Sequence, residues 1–174
     1  MTEQHPTTSA SPIVVGIDGS ATSAAALKRA ARIARALDVD LIAVSAWQRP
    51  AFYGGYVMPD YSPEDDWRQM LQDTIVSVFG QTPPARLRSE LREGSPAQVL
   101  LDASKGAQML VVGSRGHGGF AGLLLGSVSS AVAEHAECPV LVYHGAGIPV
   151  TQHNEQSDLS TPANHDLAAN AERA

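Results

Sequence analysis

The sequence predicts an α/β protein built on one open parallel sheet with helices on both faces. Two patterns carry that expectation. Short apolar runs of strand length alternate with longer segments of helical period, in the order β-α-β-α-β-α-β-α-β, and such alternation winds helices around a parallel sheet. The first and fourth runs also lack strict polar–apolar alternation, as strands covered on both faces do. Composition agrees. Of 174 residues, 44% are hydrophobic and only 5% aromatic, so Ala, Val and Leu must build the core. This length suits a single domain with enough chain for a sizeable core.

Taken in order, Met1–Ser11 is polar and expected to be disordered. Pro12–Asp18 reads as the first strand. Gly19-Ser20 turns the chain into a helix, with Ser20 as N-cap, that runs to about Leu37. Its inner face is Leu27, Ala30, Ala31, Ala34 and Leu37; Lys28, Arg29, Arg32 and Arg35 form the solvated face. Asp38–Asp40 closes it, and Leu41–Trp47 is the second strand. Gln48–Tyr61 has no regular period and reads as a mobile loop. Ser62-Pro63-Glu64 starts a helix, with Pro at its first position and acidic residues in its first turn, continuing to about Phe79. Arg86–Arg92 suits an edge strand whose charges discourage further pairing. A third helix runs from Gly94-Ser95-Pro96 to about Lys105, a fully buried strand follows over Met109–Gly113, a fourth helix spans Ser127 to about Ala136, and Pro139–Tyr143 is the last strand. Gly145–Ala174 has no apolar period and reads as a disordered tail, which leaves 12–144 as the folded domain.

The formal net charge of −6 argues against a general electrostatic grip on nucleic acid or on an anionic membrane. One cysteine, Cys138, excludes an internal disulfide and is expected to be a buried structural thiol. No zinc-binding spacing of Cys and His occurs. The N-terminus lacks the basic start and apolar centre of a secretory signal, and no apolar run approaches the ~20 residues that span a bilayer. A cytoplasmic protein is the expectation.

The chemistry concentrates in Val111–Ser130, VVGSRGHGGFAGLLLGSVSS. An apolar run ends in Gly113, Gly116 follows, and Gly126-Ser127 comes where a helix begins, giving G-x2-G-x9-G-S. Glycines let backbone N–H groups approach a phosphate with no Cβ in the way. The free N–H groups and positive dipole end of the following helix favour an anion. Gly113, Gly116, Gly126 and Ser127 therefore form a candidate phosphate cradle, the alternative being two tight turns with no ligand. Arg115 can pair with a phosphate or a ribose, or be merely solvated. Ser127 and Ser129 can donate hydroxyl hydrogen bonds to phosphates or cap the helix. Asp18 ends an apolar strand, where an unpaired buried carboxylate is costly; it either meets a ligand or caps the next helix. Gly16 and Ile17 precede it and line the same cleft, and Val112 and Val128 supply further wall.

This loop resembles the nucleotide-binding signature of the universal stress protein family, in its ATP-binding branch. IVVGIDGS (Ile13–Ser20), EGSPAQVLLDAS (Glu93–Ser104) and AECPVLVYH (Ala136–His144) resemble other parts of that family. The resemblance covers Ser11 to His144. It implies a Rossmann-like fold of the adenine nucleotide alpha hydrolase kind, with strand order 3-2-1-4-5, which sets Asp18 beside Gly113. It also implies ATP as ligand, with Mg²⁺ on its phosphates, Asp18 near the adenine and ribose, and Val44 against the adenine ring. A homodimer through Val140–Tyr143 is implied as well.

Other patterns carry less. Gly116–Ala121 fits G-x-G-x-x-A but follows the fourth strand and does not open a helix directly. Gly118, Gly119 and Gly122 read as a flexible lid, and His117 as a surface loop residue. No nucleophile elbow and no Walker lysine is present, Asp65-Asp66 suits a helix start better than a metal, and no catalytic or metal-ligating set is assigned. The expected function is an ATP-dependent stress-response switch that signals to an unidentified protein partner, with at most slow hydrolysis. A nucleotide hydrolase or nucleotidyl transferase on the same fold is the alternative, and a scaffold without nucleotide a third reading.

Overall fold

The computed structural model describes residues 10–49, 63–116 and 124–145. Nine elements alternate along them: β1 (Ile13–Gly16), α1 (Ala21–Leu37), β2 (Leu41–Trp47), α2 (Pro63–Phe79), β3 (Leu87–Glu93), α3 (Pro96–Ala103), β4 (Met109–Gly113), α4 (Ser127–His135) and β5 (Val140–Tyr143). All pairings are parallel, and the sheet order is β3-β2-β1-β4-β5. The expected fold class and strand order hold. The expected disordered segment over 1–9, most of the expected mobile loop Gln48–Tyr61, the loop centre with His117, Gly118, Gly119 and Gly122, and the tail beyond Gly145 lie outside the described residues. No helix among the described residues is long and apolar enough to cross a membrane.

Period-two side-chain direction sorts the buried strands into two cores. Ile13, Val15, Leu41, Ala43 and Val111 face Leu27, Ala30 and Ala34 of α1 and Leu71 and Ile75 of α2. Val14, Val44, Leu110 and Val112 face Val99 and Leu100 of α3 and Val132 of α4. Each fully buried Val, Leu or Ile among them stabilises the fold by ~1.5–3 kcal/mol. Two consecutive helices therefore cover each face, and the chain changes face between β1, which feeds α1, and β4, which feeds α4.

Several boundaries differ from expectation. β1 stops at Gly16, so Asp18 lies in the connection to α1 and does not end the strand. β3 spans Leu87–Glu93, α3 ends at Ala103 and β5 begins at Val140. Only the middle three residues of β4 are buried. Cys138 is half-buried against the second core. Leu37, expected on the inner face of α1, is 49% exposed. The helix end explains it. Asp38 takes a left-handed conformation (φ 53°), the Val39 N–H reaches back to the Ala34 carbonyl, and the chain reverses so that Val39 is buried in the place Leu37 was expected to fill. This is a Schellman closure with aspartate where glycine is usual. Arg86 steadies it, donating from Nη1 to both the carbonyl and Oδ1 of Asp38 and from Nε to Asp40.

A left-handed residue with a Cβ costs ~1–2 kcal/mol, and a β-branched side chain fits least well. Asp38→Val should therefore destabilise the protein by about 2 kcal/mol in urea unfolding, while Asp38→Gly should stay within about 0.5 kcal/mol of the parent.

Candidate functional site

Open parallel sheets bind ligands beyond the carboxyl ends of their strands, where the chain changes face. A cleft of about 620 Å³ opens at that place, within the ~300–1,000 Å³ usual for small-molecule sites. Gly16, Ile17 and Asp18 enter it from the end of β1, Val44 from β2, Val112, Gly113, Arg115 and Gly116 from β4 and its extension, and Gly126, Ser127, Val128 and Ser129 from the start of α4. All the positions singled out in the sequence thus border one space.

Crowding marks the first three glycines, largely by main chain at Gly113 and by side chains at the other two. A Cβ on Gly16 would stand 2.9 Å from Leu100 Cδ1, the end of a flexible side chain that can shift. On Gly113 it would stand 2.9 Å from Thr22 Oγ1, 3.0 Å from the Thr22 carbonyl carbon and 3.1 Å from the Ser23 nitrogen. Gly116 faces Asp18 Oδ2 so closely that any side chain would displace the carboxylate. Gly126 is different. Its φ is −76°, and a Cβ would meet only ordinary contacts at 3.5–3.6 Å. Neither strain nor crowding within the described chain requires glycine there.

The start of α4 is held from below. Ser114 is 2% exposed; its N–H donates to the Tyr143 carbonyl (2.8 Å), and its carbonyl accepts from Gly126 N–H (2.8 Å). Ser129 Oγ donates to the same carbonyl (3.0 Å) and lies 3.2 Å from both the nitrogen and the carbonyl oxygen of Gly126. Its one proton is thus directed at main chain, and Ser129 is 3% exposed. Ser127 is exposed at the rim. The N–H groups of Ser127, Val128 and Ser129, in the first turn of the helix, have no main-chain partner there; they and the positive end of the helix face the cleft.

Asp18 is half-buried. Its Oδ1 accepts from the N–H (3.0 Å) and hydroxyl (2.6 Å) of Ser20, while Oδ2 lies toward Gly116. Both readings of this residue are compatible: one oxygen serves the turn into α1 and the other is turned to the cleft. Arg115 is exposed and makes no ion pair among the described residues. The described residues hold no group of three or more His, Cys, Asp or Glu suited to a metal ion.

Six lining residues were not foreseen: Ser23, Ala46, Pro96, Leu100, Leu125 and Ser130. Pro96 and Leu100 had a usable signal. A helix that follows β3 and covers the same face as α4 must start at the carboxyl end of the sheet, so its first turns border the cleft. Ala46 also follows from the side-chain period of β2, two residues beyond Val44 on the same face.

The model of the universal stress protein family matches residues 10–144. A universal stress protein of Mycolicibacterium smegmatis is 37% identical over 136 residues, covering 75% of this chain and 45% of the relative. One of Mycobacterium tuberculosis is 36% identical over 138 residues, covering 75% and 44%. The chain thus spans less than half the length of these curated relatives. Among solved structures, a universal stress protein crystallised in complex with cAMP is 32% identical, with a TM-score of 0.54 over 77% of this chain and 96% of that one. A universal stress protein from Lactobacillus plantarum, 23% identical, gives a TM-score of 0.58 over 78% and 98% and supports the fold alone.

The contacts awaiting a Cβ at Gly113 are mostly main chain, which cannot swing aside. Gly113→Ala should therefore cost about 2 kcal/mol of stability, within the range of overpacking a dense core. Urea unfolding measures it; a loss below about 0.5 kcal/mol would mean that α1 is not held against β4 at this point.

Proposed function

The chain belongs to the universal stress protein family, and we propose that its domain, residues 12–144, is an ATP-binding regulatory module whose occupancy signals to a protein partner during stress. One observation carries this reading. Main-chain N–H groups at the start of α4, left free by the helix, meet the Asp18 carboxylate and an apolar wall in one cleft. The apolar wall of Val44, Ala46 and Leu100 suits an adenine ring, and Asp18 Oδ2 suits a ribose hydroxyl. Gly116, Arg115 and the amides of Ser127–Ser129 suit the phosphates. The space a side chain at Gly126 would occupy is then ligand space, which accounts for a glycine the described chain does not itself require. That a relative 32% identical was crystallised with cAMP supports an adenine nucleotide as the ligand class.

In this reading Mg²⁺ would accompany the phosphates and offset their charge, with no group of described His, Cys, Asp or Glu residues to hold it by itself. Ser129 acts by holding the cradle, since its proton is already directed at main chain. Hydrolysis is slow at most. The one carboxylate among the described residues lining the cleft has an oxygen engaged by two Ser20 donors, and efficient turnover needs a positioned base. We place the protein in the cytoplasm, where it pairs with a second copy through β5, an edge strand whose residues are half-buried.

Mass spectrometry of the purified, denatured protein should find co-purified ATP. Finding ADP or AMP in its place would shift the reading to the hydrolase alternative. Gly116→Glu should weaken ATP binding by at least about 100-fold, ~2.7 kcal/mol, with the fold intact; unchanged affinity in calorimetric titration would remove this cleft as the site.

A further inference from the structure

A chain of hydroxyls crosses from Asp18 to the glycine loop. Ser20 Oγ donates to Asp18 Oδ1 (2.6 Å) and lies 3.1 Å from Thr22 Oγ1. Thr22 Oγ1 in turn donates to the main-chain carbonyl of Arg115, the residue between the first two glycines of the loop. No other side chain among the described residues hydrogen-bonds that carbonyl. The close approach at Gly113 holds Thr22 at this spot, so the contact is built into the packing of α1 on β4.

Each hydroxyl carries one proton. Ser20 gives its proton to Asp18 and Thr22 gives its proton to Arg115, so the 3.1 Å contact between them has none of its own. A ligand hydroxyl that meets Asp18 at Oδ2 leaves this arrangement in place, with Ser20 on Oδ1 and the Thr22 proton committed to the loop.

We propose that Thr22 is a positioning residue for the phosphate end of the site, latching the Arg115 main chain. The inference rests on the nucleotide reading above. It adds that the main chain that meets the phosphates is held from α1 by a residue outside the cleft lining.

The test compares the full chain with Thr22→Val, which keeps the shape and loses the proton, and with Thr22→Ser, which keeps the hydroxyl. ATP and adenosine are titrated into each well below its melting temperature. Thr22→Val should weaken ATP about tenfold, the worth of one such hydrogen bond, while adenosine affinity stays within about twofold. Thr22→Ser should restore ATP binding, and Thr22→Ala should reproduce the loss if the valine variant is poorly folded. Unchanged ATP affinity in the valine and alanine variants overturns the proposal. So does an equal loss for ATP and adenosine, which would mean that Thr22 merely supports the whole cleft. If the parent protein binds neither ligand, the nucleotide reading itself has failed and the latch falls with it.

Discussion

A hydrogen in place of a Cβ at Gly113 lets the first turn of α1 lie directly against the end of β4. In a doubly wound sheet, β1 and β4 are neighbours but their helices leave toward opposite faces, so the loops at their ends diverge. At Gly113 that divergence is bridged: Thr22 and Ser23 come within contact of the strand that carries the other half of the cleft. From this one approach follow the position of Asp18 opposite Gly116, the hydrogen bond from Thr22 to Arg115, and the packing that keeps both. A larger residue would separate two pieces of main chain, and main chain has no rotamer with which to yield.

The opposite wall depends on Ser114. Its N–H is tied to β5 and its carbonyl to both the N-cap and the third residue of α4. A buried carbonyl has two lone pairs to satisfy, and here the second is met by a side chain that also accepts the Gly126 N–H. The start of α4 is thereby tied to the end of β4 through Ser114.

Much of this was legible in the sequence, for a physical reason. Helical and strand periods differ, so the element order could be read from the apolar pattern, and glycine spacing marked where main chain comes close. Both signals depend on side-chain size and polarity, which sequence states directly. The misreadings and open readings are of another kind. The inner face of α1 extrapolated to Leu37 because the left-handed turn at Asp38 breaks the helical period without a glycine to announce it. Ser129 was left between donating to a phosphate and capping the helix, because the target of a hydroxyl proton depends on which acceptors the fold brings near. The contribution of Pro96 and Leu100 is long-range: it exists only because α3 and α4 share a face. Strand order 3-2-1-4-5 came from family resemblance, since the alternation of elements alone permits other orders.

The chemistry available in the cleft follows from where its donors reside. Among the described residues, apart from Arg115, the charge-bearing groups suited to an anion are main-chain amides at a helix start, and these hold a charge without titrating or exchanging protons. They can stabilise a bound polyanion but cannot serve as a general base. Asp18, the one acid–base side chain among the described residues lining the cleft, is drawn by Ser20 into the turn before α1, where its Oδ1 accepts two hydrogen bonds. Efficient attack on a phosphate would need a second group to orient water, and the described lining offers serines whose protons, at Ser23 and Ser129, are given to main-chain carbonyls. Among the described residues, then, the cleft offers fixed donors for an anion and no second acid–base side chain beside Asp18.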